Sequence, residues 1–201
     1  MRLPVPAVLL LLAGCIQPTA GPAPSTRVAA PPVRAIVPAG NPAIGGVTIP
    51  VDQSIAADLA LAPTLSGFVR ALDAAGMTEA LRGGGPFTVF APSDAAFARL
   101  QPGTIEALMK PENRAALTRL LGLHIVPERL GAVDLMQRIA AGGGQARLAT
   151  MAGETVTASV TSGIVTLTDA GGNKSYVETA DVRAANGNLH VVNGILVPRL
   201  N

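Results

Sequence analysis

Tryptophan is absent from this 201-residue chain, and four phenylalanines and one tyrosine make up its whole aromatic content, 2% of residues. That scarcity excludes an aromatic-lined sugar platform and a base-stacking surface. A single cysteine, Cys15, leaves no intrachain disulfide to form. Histidine occurs twice, as His124 and His190, with no cysteine beside either and no His-Glu-x-x-His spacing, so no zinc pattern is present. No Gly-x-Ser-x-Gly elbow accompanies them, and neither Gly83-Gly84-Gly85 nor Gly142-Gly143-Gly144 is followed by the Lys-Ser or Lys-Thr of a phosphate-cradling loop. Charge is sparse as well, at 14% of residues with a net of +2. Setting aside Arg2, Arg27 and Arg34 from the 15 Lys+Arg leaves 12, against 13 Asp+Glu, all from Val51 onward. The later part is therefore close to neutral and carries no electrostatic footprint for nucleic acid.

What the chain has is apolar bulk, 49% of residues, enough for a packed core. Residues 3–13 form an apolar run behind Met1-Arg2, about half of the ~20 residues that span a bilayer, as in a secretory signal peptide. The run closes on Leu12-Ala13-Gly14-Cys15, which resembles the bacterial lipobox. The resemblance implies cleavage before Cys15 and acylation of its thiol and new amino terminus. Two or more acyl chains give stable anchoring where one gives only marginal binding. Ordinary secretion with Cys15 incidental is the alternative. Ile16 stands where an Asp signals inner-membrane retention in some Gram-negative bacteria, so the resemblance points to the outer membrane. Residues 15–46 are rich in Pro, Ala and Gly, which predicts an extended spacer rather than a recognition ligand.

A folded domain is expected over residues 47–201. Its keystone is Thr88-Val89-Phe90-Ala91-Pro92-Ser93-Asp94-Ala95-Ala96-Phe97. Phe87 to Phe90 reads as a buried strand that Pro92, lacking an amide donor, brings to an end. Ser93 reads as the N-cap of the next helix, with Asp94 at its positive end. Upstream, Asp52 and Thr64 are expected to cap two helices, and Gly76 to stop the second. Helices are also expected over 104–110, from Pro111 to about 121, and over 131–140, with a short strand at 123–126. From Ala146 the apolar period becomes two, with a hairpin turning at Thr161-Ser162 and two Asn-Gly pairs, Asn186-Gly187 and Asn193-Gly194, read as tight turns with positive φ. Helices first and strands later predict an α+β fold.

The keystone segment resembles the first signature box of fasciclin domains. The segment from Asn186 through Gly187, His190 and Gly194 to Pro198 is similar to the second box, and the residues around His124 to the family's central Tyr-His region. The resemblance implies a wedge-shaped β-sandwich with packed helices, acting as an adhesion or interaction module without catalysis. Leu123 stands where the family's Tyr is expected, which weakens the carry-over of the integrin contact tied to that motif in animal members. Thr88, Phe90, Pro92, Ser93, Asp94, Phe97, His124, Asn186, Gly187, His190, Gly194 and Pro198 are accordingly expected to be structural signature residues, and Cys15 the lipidation site. No catalytic residue, metal or cofactor is expected. The expected partners are the membrane, through Cys15, and an envelope or extracellular protein or polysaccharide bound by a monomer. A periplasmic carrier of a small apolar ligand is the competing reading.

Overall fold

The computed structural model describes residues 40–199; the segment expected to be a signal peptide, the expected lipidation site Cys15 and most of the expected spacer lie outside them. In chain order the elements are β1 (Ala43–Ile44), β2 (Val47–Thr48), α1 (Ile55–Leu61), α2 (Ser66–Ala75), α3 (Thr78–Arg82), β3 (Phe87–Pro92), α4 (Asp94–Phe97), α5 (Thr104–Leu108) and α6 (Arg114–Gly122). There follow β4 (Ile125–Val126), α7 (Ala132–Ala141), β5 (Gln145–Ala149), β6 (Thr155–Thr161), β7 (Ile164–Thr168), β8 (Lys174–Ala184) and β9 (Gly187–Val192). Short 3₁₀ turns, Pro63–Leu65 and Pro111–Asn113, lead into α2 and α6. Helices α1–α6 lie before β4 and strands β5–β9 close the chain, so the fold is α+β as expected.

Seven strands pair in the order β4-β3-β9-β8-β7-β6-β5. All neighbours are antiparallel except β3 and β9, which run parallel with Phe90 opposite His190. The eleven-residue β8 serves both layers of the sandwich. Its start pairs with β7 and its end with β9, and register shifts lie between Val177 and Val182. Past β5, the Met151 N–H reaches the Ile125 carbonyl of β4 at 2.8 Å, bringing the two ends of the strand order together.

Alternation along β3 and β9 splits the core in two. Val89, Ala91, Leu189 and Val191 face Phe68, Leu72, Leu81, Leu117 and Leu121 of the helices. Phe90 and Val192 face the opposite way, onto Leu148, Val156, Ala158 and Leu167 of the second layer and Leu135 and Ile139 of α7. Both faces of the two central strands are thus buried, and all six residues of β9 are buried.

Local rules anticipated several boundaries and missed others. Gly76 does end α2, in the left-handed region at φ 73°. Ser54, not Asp52, caps α1 through the Ala57 N–H. The hairpin turns on Ser162 (φ 51°) and Gly163 (φ 80°), one residue beyond Thr161-Ser162. The expected domain start at Val47 is also too late. Asn41 and Ile44 are buried, and β1 pairs with β2. The Asn41 amide grips the backbone of Arg183 from both sides, donating to its carbonyl at 2.7 Å and accepting its N–H at 2.7 Å.

Candidate functional site

The signature side chains converge on the two central strands and bind backbone rather than solvent. Thr88 is fully buried on β3. Its hydroxyl donates to the Glu128 carbonyl and accepts the Leu130 N–H at 2.8 Å, fixing the loop between β4 and α7. From β9, His190 reaches the same loop, with Nε2 2.9 Å from the Leu130 carbonyl while Nδ1 accepts the Asp181 N–H at 3.2 Å. That arrangement assigns the proton to Nε2. The ring stacks on Phe90, centroids 5.3 Å apart. Asp181, in the left-handed region at φ 61° within the second register shift of β8, accepts the Ala132 N–H at the start of α7.

His124 is bound in the opposite tautomer. Nδ1 donates to the Leu120 carbonyl at 3.0 Å and Nε2 accepts the Leu196 N–H at 3.1 Å. Burial holds both imidazoles neutral. It pushes His124 down to about 4, against smaller upward influences from Leu120 and Asp169, and lowers His190 as well. With both nitrogens of each ring engaged, neither histidine is a free base or a free ligand. Among the described residues no three His, Cys, Asp or Glu side chains cluster as metal ligands do.

Asp94 departs from its expected role. It stands at the start of α4, yet its carboxylate turns to α2, accepting the Ser66 hydroxyl at 2.8 Å and the Gly67 N–H at 2.7 Å. It thereby does the work assigned to Thr64. Ser93 holds the N-cap position without a cap bond, and its buried hydroxyl has no partner among the described residues. Phe97 is half-buried and lies against Gly67, where a Cβ would approach its ring to 3.1 Å. Pro92 ends β3, and Pro198 is half-buried near the end of the described chain.

Neither Asn-Gly pair adopts positive φ. Asn186 instead joins three elements. Its carbonyl oxygen accepts the Ile55 N–H at 2.9 Å and its amide donates to the carbonyls of Leu81 and Gly83, each at 2.8 Å. Gly187 is required by proximity, since a Cβ there would lie 2.0 Å from the Phe87 carbonyl oxygen. Asn193 accepts the Tyr176 N–H, while the Ser175 hydroxyl bonds both the N–H and the carbonyl of Gly194.

Three further polar residues escaped the sequence reading. Asp169 accepts the N–H groups of Gly171, Asn173 and Val197, organising the turn into β8. Asn41 has been described. Asp58 on α1 is fully buried with both carboxylate oxygens unpartnered, and burial, seconded by the charge of Asp52, pushes it up to about 7. Asp58 carried no sequence signal beyond one charge on an apolar helix face.

The clefts on the described surface are open rather than enclosed. One of about 510 Å³ between the end of α7 and β5 is lined by Arg138, Ala141, Gly142, Gln145, Ala146 and Arg147.

A sequence model of the fasciclin domain matches residues 63–198. Protein sll1483 of Synechocystis sp. is 40% identical over 135 residues, covering 67% of this chain and 68% of that protein. Transforming growth factor-beta-induced protein ig-h3 of Sus scrofa is 34% identical over 68% of this chain, which spans only 18% of that protein. Among solved structures, a FAS1 domain pair from the insect cell adhesion molecule fasciclin I superposes with a TM-score of 0.64 at 18% identity, covering 72% of this chain and 51% of that one. On the matched segment, its order of signature residues and the shared fold, the chain belongs to the fasciclin domain family.

Proposed function

We propose that this chain is a lipid-anchored module of the bacterial cell envelope that holds a protein or polysaccharide partner and catalyses no reaction. One observation carries the non-catalytic part of that reading. The polar side chains that make the boxes distinctive, at Thr88, Asp94, His124, Asn186 and His190, are bonded within the domain. What remains for a partner is the outer surface they hold in place. The similarity to a domain pair from a cell adhesion molecule supports the same direction. The cleft beside Arg138 and Arg147 is open rather than enclosed, which favours a macromolecule over a small enclosed ligand.

Anchoring rests on Cys15 and is tested by fractionation. Cys15→Ser is expected to move the protein from the membrane to the soluble fraction, and a variant that stays with the membrane refutes the lipobox. Protease shaving of intact and permeabilised cells then decides the orientation. Cleavage on intact cells supports adhesion to other surfaces, and protection until permeabilisation confines the partner to the envelope interior.

A further inference from the structure

The strand register places Arg147, Thr157, Thr168 and Lys174 directly opposite one another across β5, β6, β7 and β8. Residues paired in this way share one face of the sheet. The intervening residues Leu148, Val156, Ala158 and Leu167 turn inward to the core, so the row of four lies on the outer face. It spans three strand spacings, ~14 Å, with a cation at each end and hydroxyls between. Arg147 and Lys174 are exposed. Neither has an ion pair or side-chain hydrogen bond among the described residues, in contrast to Arg82, Arg119 and Arg138, which pair with Glu79, Glu154 and Glu128.

The neighbouring row is polar as well, with Gln145, Ser159, Thr166 and Tyr176 in register, of which Thr166 is fully buried with its hydroxyl on the Ile164 carbonyl. Tyr176, the chain's one tyrosine, is half-buried there. No carboxylate stands in either row, although the chain carries 13 Asp and Glu. At the β5 end, Gln145 and Arg147 also line the cleft of about 510 Å³, giving the flat face a concave margin. Strand propensity accounts for threonine on an exposed sheet face. It does not account for two unpaired cations at the ends of one row with no acid between them.

We propose that the outer face of β5–β8 is a docking surface for an acidic polysaccharide, whose anionic groups meet Arg147 and Lys174 while its hydroxyls bond Thr157 and Thr168. Threonine hydroxyls both donate and accept, as sugar hydroxyls do. The charge is complementary, and the two rows offer no aliphatic side chain for insertion into a bilayer, which favours a glycan over a lipid surface. This assignment rests on the interaction-module reading and names the partner class and the face.

The test uses the full chain purified in detergent, with immobilised polygalacturonate, alginate and hyaluronate as probes, neutral dextran as control and phosphatidylglycerol vesicles as competitor. Binding to at least one acidic polysaccharide and not to dextran is expected, weakening as salt screens the charges. Arg147→Ser/Lys174→Ser is expected to bind about tenfold more weakly, as for the loss of two exposed ion pairs. Thr157→Val/Thr168→Val keeps the side-chain shape and is expected to lose about threefold through the missing hydrogen bonds. Both double variants change accessible side chains, and unchanged thermal melts confirm that each is folded. Binding to none of the three polysaccharides overturns the proposal, as does equal binding by the charge variant. Vesicle binding that the charge variant loses, without polysaccharide binding, assigns the face to lipid and also overturns it. If wild type and charge variant bind a cell-wall fraction equally, the face is refuted while the interaction reading stands. If wild type binds neither wall fraction nor polysaccharide, both fail.

Discussion

Replacing Asp58 by asparagine should make the domain more stable above neutral pH. The carboxyl is fully buried on α1 with no hydrogen-bond partner, and burial pushes it up to about 7. An aspartate in the unfolded chain gives up its proton near pH ~4. Between those two values the folded state holds a proton that the unfolded state has lost, so stability falls as pH rises. The group's contribution is fully present below about pH 4 and gone above about pH 7. Complete exclusion of solvent would set the change at ~4 kcal/mol, from ~1.36 kcal/mol for each pH unit between the two values. The seven-residue α1 has exposed positions at Ala60 and Leu61, so water lies within a turn of the carboxyl. Halving for that screening leaves ~2 kcal/mol. Asp58→Asn cannot ionise and should be more stable than wild type by about that amount at pH 8, raising Tm by ~4–8 °C. Urea and thermal melts by circular dichroism at several pH values from 4.5 to 8 would measure the difference between the two proteins. Groups common to both cancel in that difference. Parallel curves across the window, or a wild type that gains on the variant as pH rises, would refute the reasoning.

Two further perturbations probe the scaffold. His124 is neutral in the fold and held down to about 4, so its contribution is intact above its unfolded value near ~6.5 and is lost as pH falls through 4. His124→Ala also strands the Leu196 N–H and empties a buried site, and should cost ~3 kcal/mol at pH 7; a melt within ~0.5 kcal/mol of wild type would count against the structural role. Gly187→Ala places a methyl 2.0 Å from the Phe87 carbonyl oxygen, between the parallel strands β3 and β9. A loss of ~3 kcal/mol or more, or failure to accumulate folded protein, is expected, and an unchanged Tm would show that the strands can part without cost.

The keystone strand and corner were legible because their causes are local. Aromatic and β-branched residues make β3 and Pro92 ends it. The two-residue period from Ala146 onward likewise follows from one buried face, and Val156, Ala158 and Leu167 occupy it. Misread positions have distant causes. Asp94 has its partner at Gly67, 27 residues upstream, and a helix-start aspartate gives no sign that it serves another helix. The Asn-Gly pairs carry the signature of left-handed turns, but glycine also answers to crowding, and Gly187 is glycine because of a carbonyl on a strand remote in sequence. Ser162-Gly163 holds the positive φ that the turn needed, with a weaker signature. Asp58 is the reverse case, a residue whose local pattern argued for nothing and whose burial follows from how α1 docks.

The Asn41 clamp gives this domain a load path. Tension drawn along the chain from before Gly40 arrives first at an amide bonded to both the N–H and the carbonyl of Arg183. It passes there into β8, the longest strand of the domain, with β9 paired alongside. The pull is met before it reaches α1, whose short helix and buried carboxyl would be the weaker element to peel. A pull that enters ahead of Gly40 is thus taken up on the central strands, where the backbone bonds between β8 and β9 share the force.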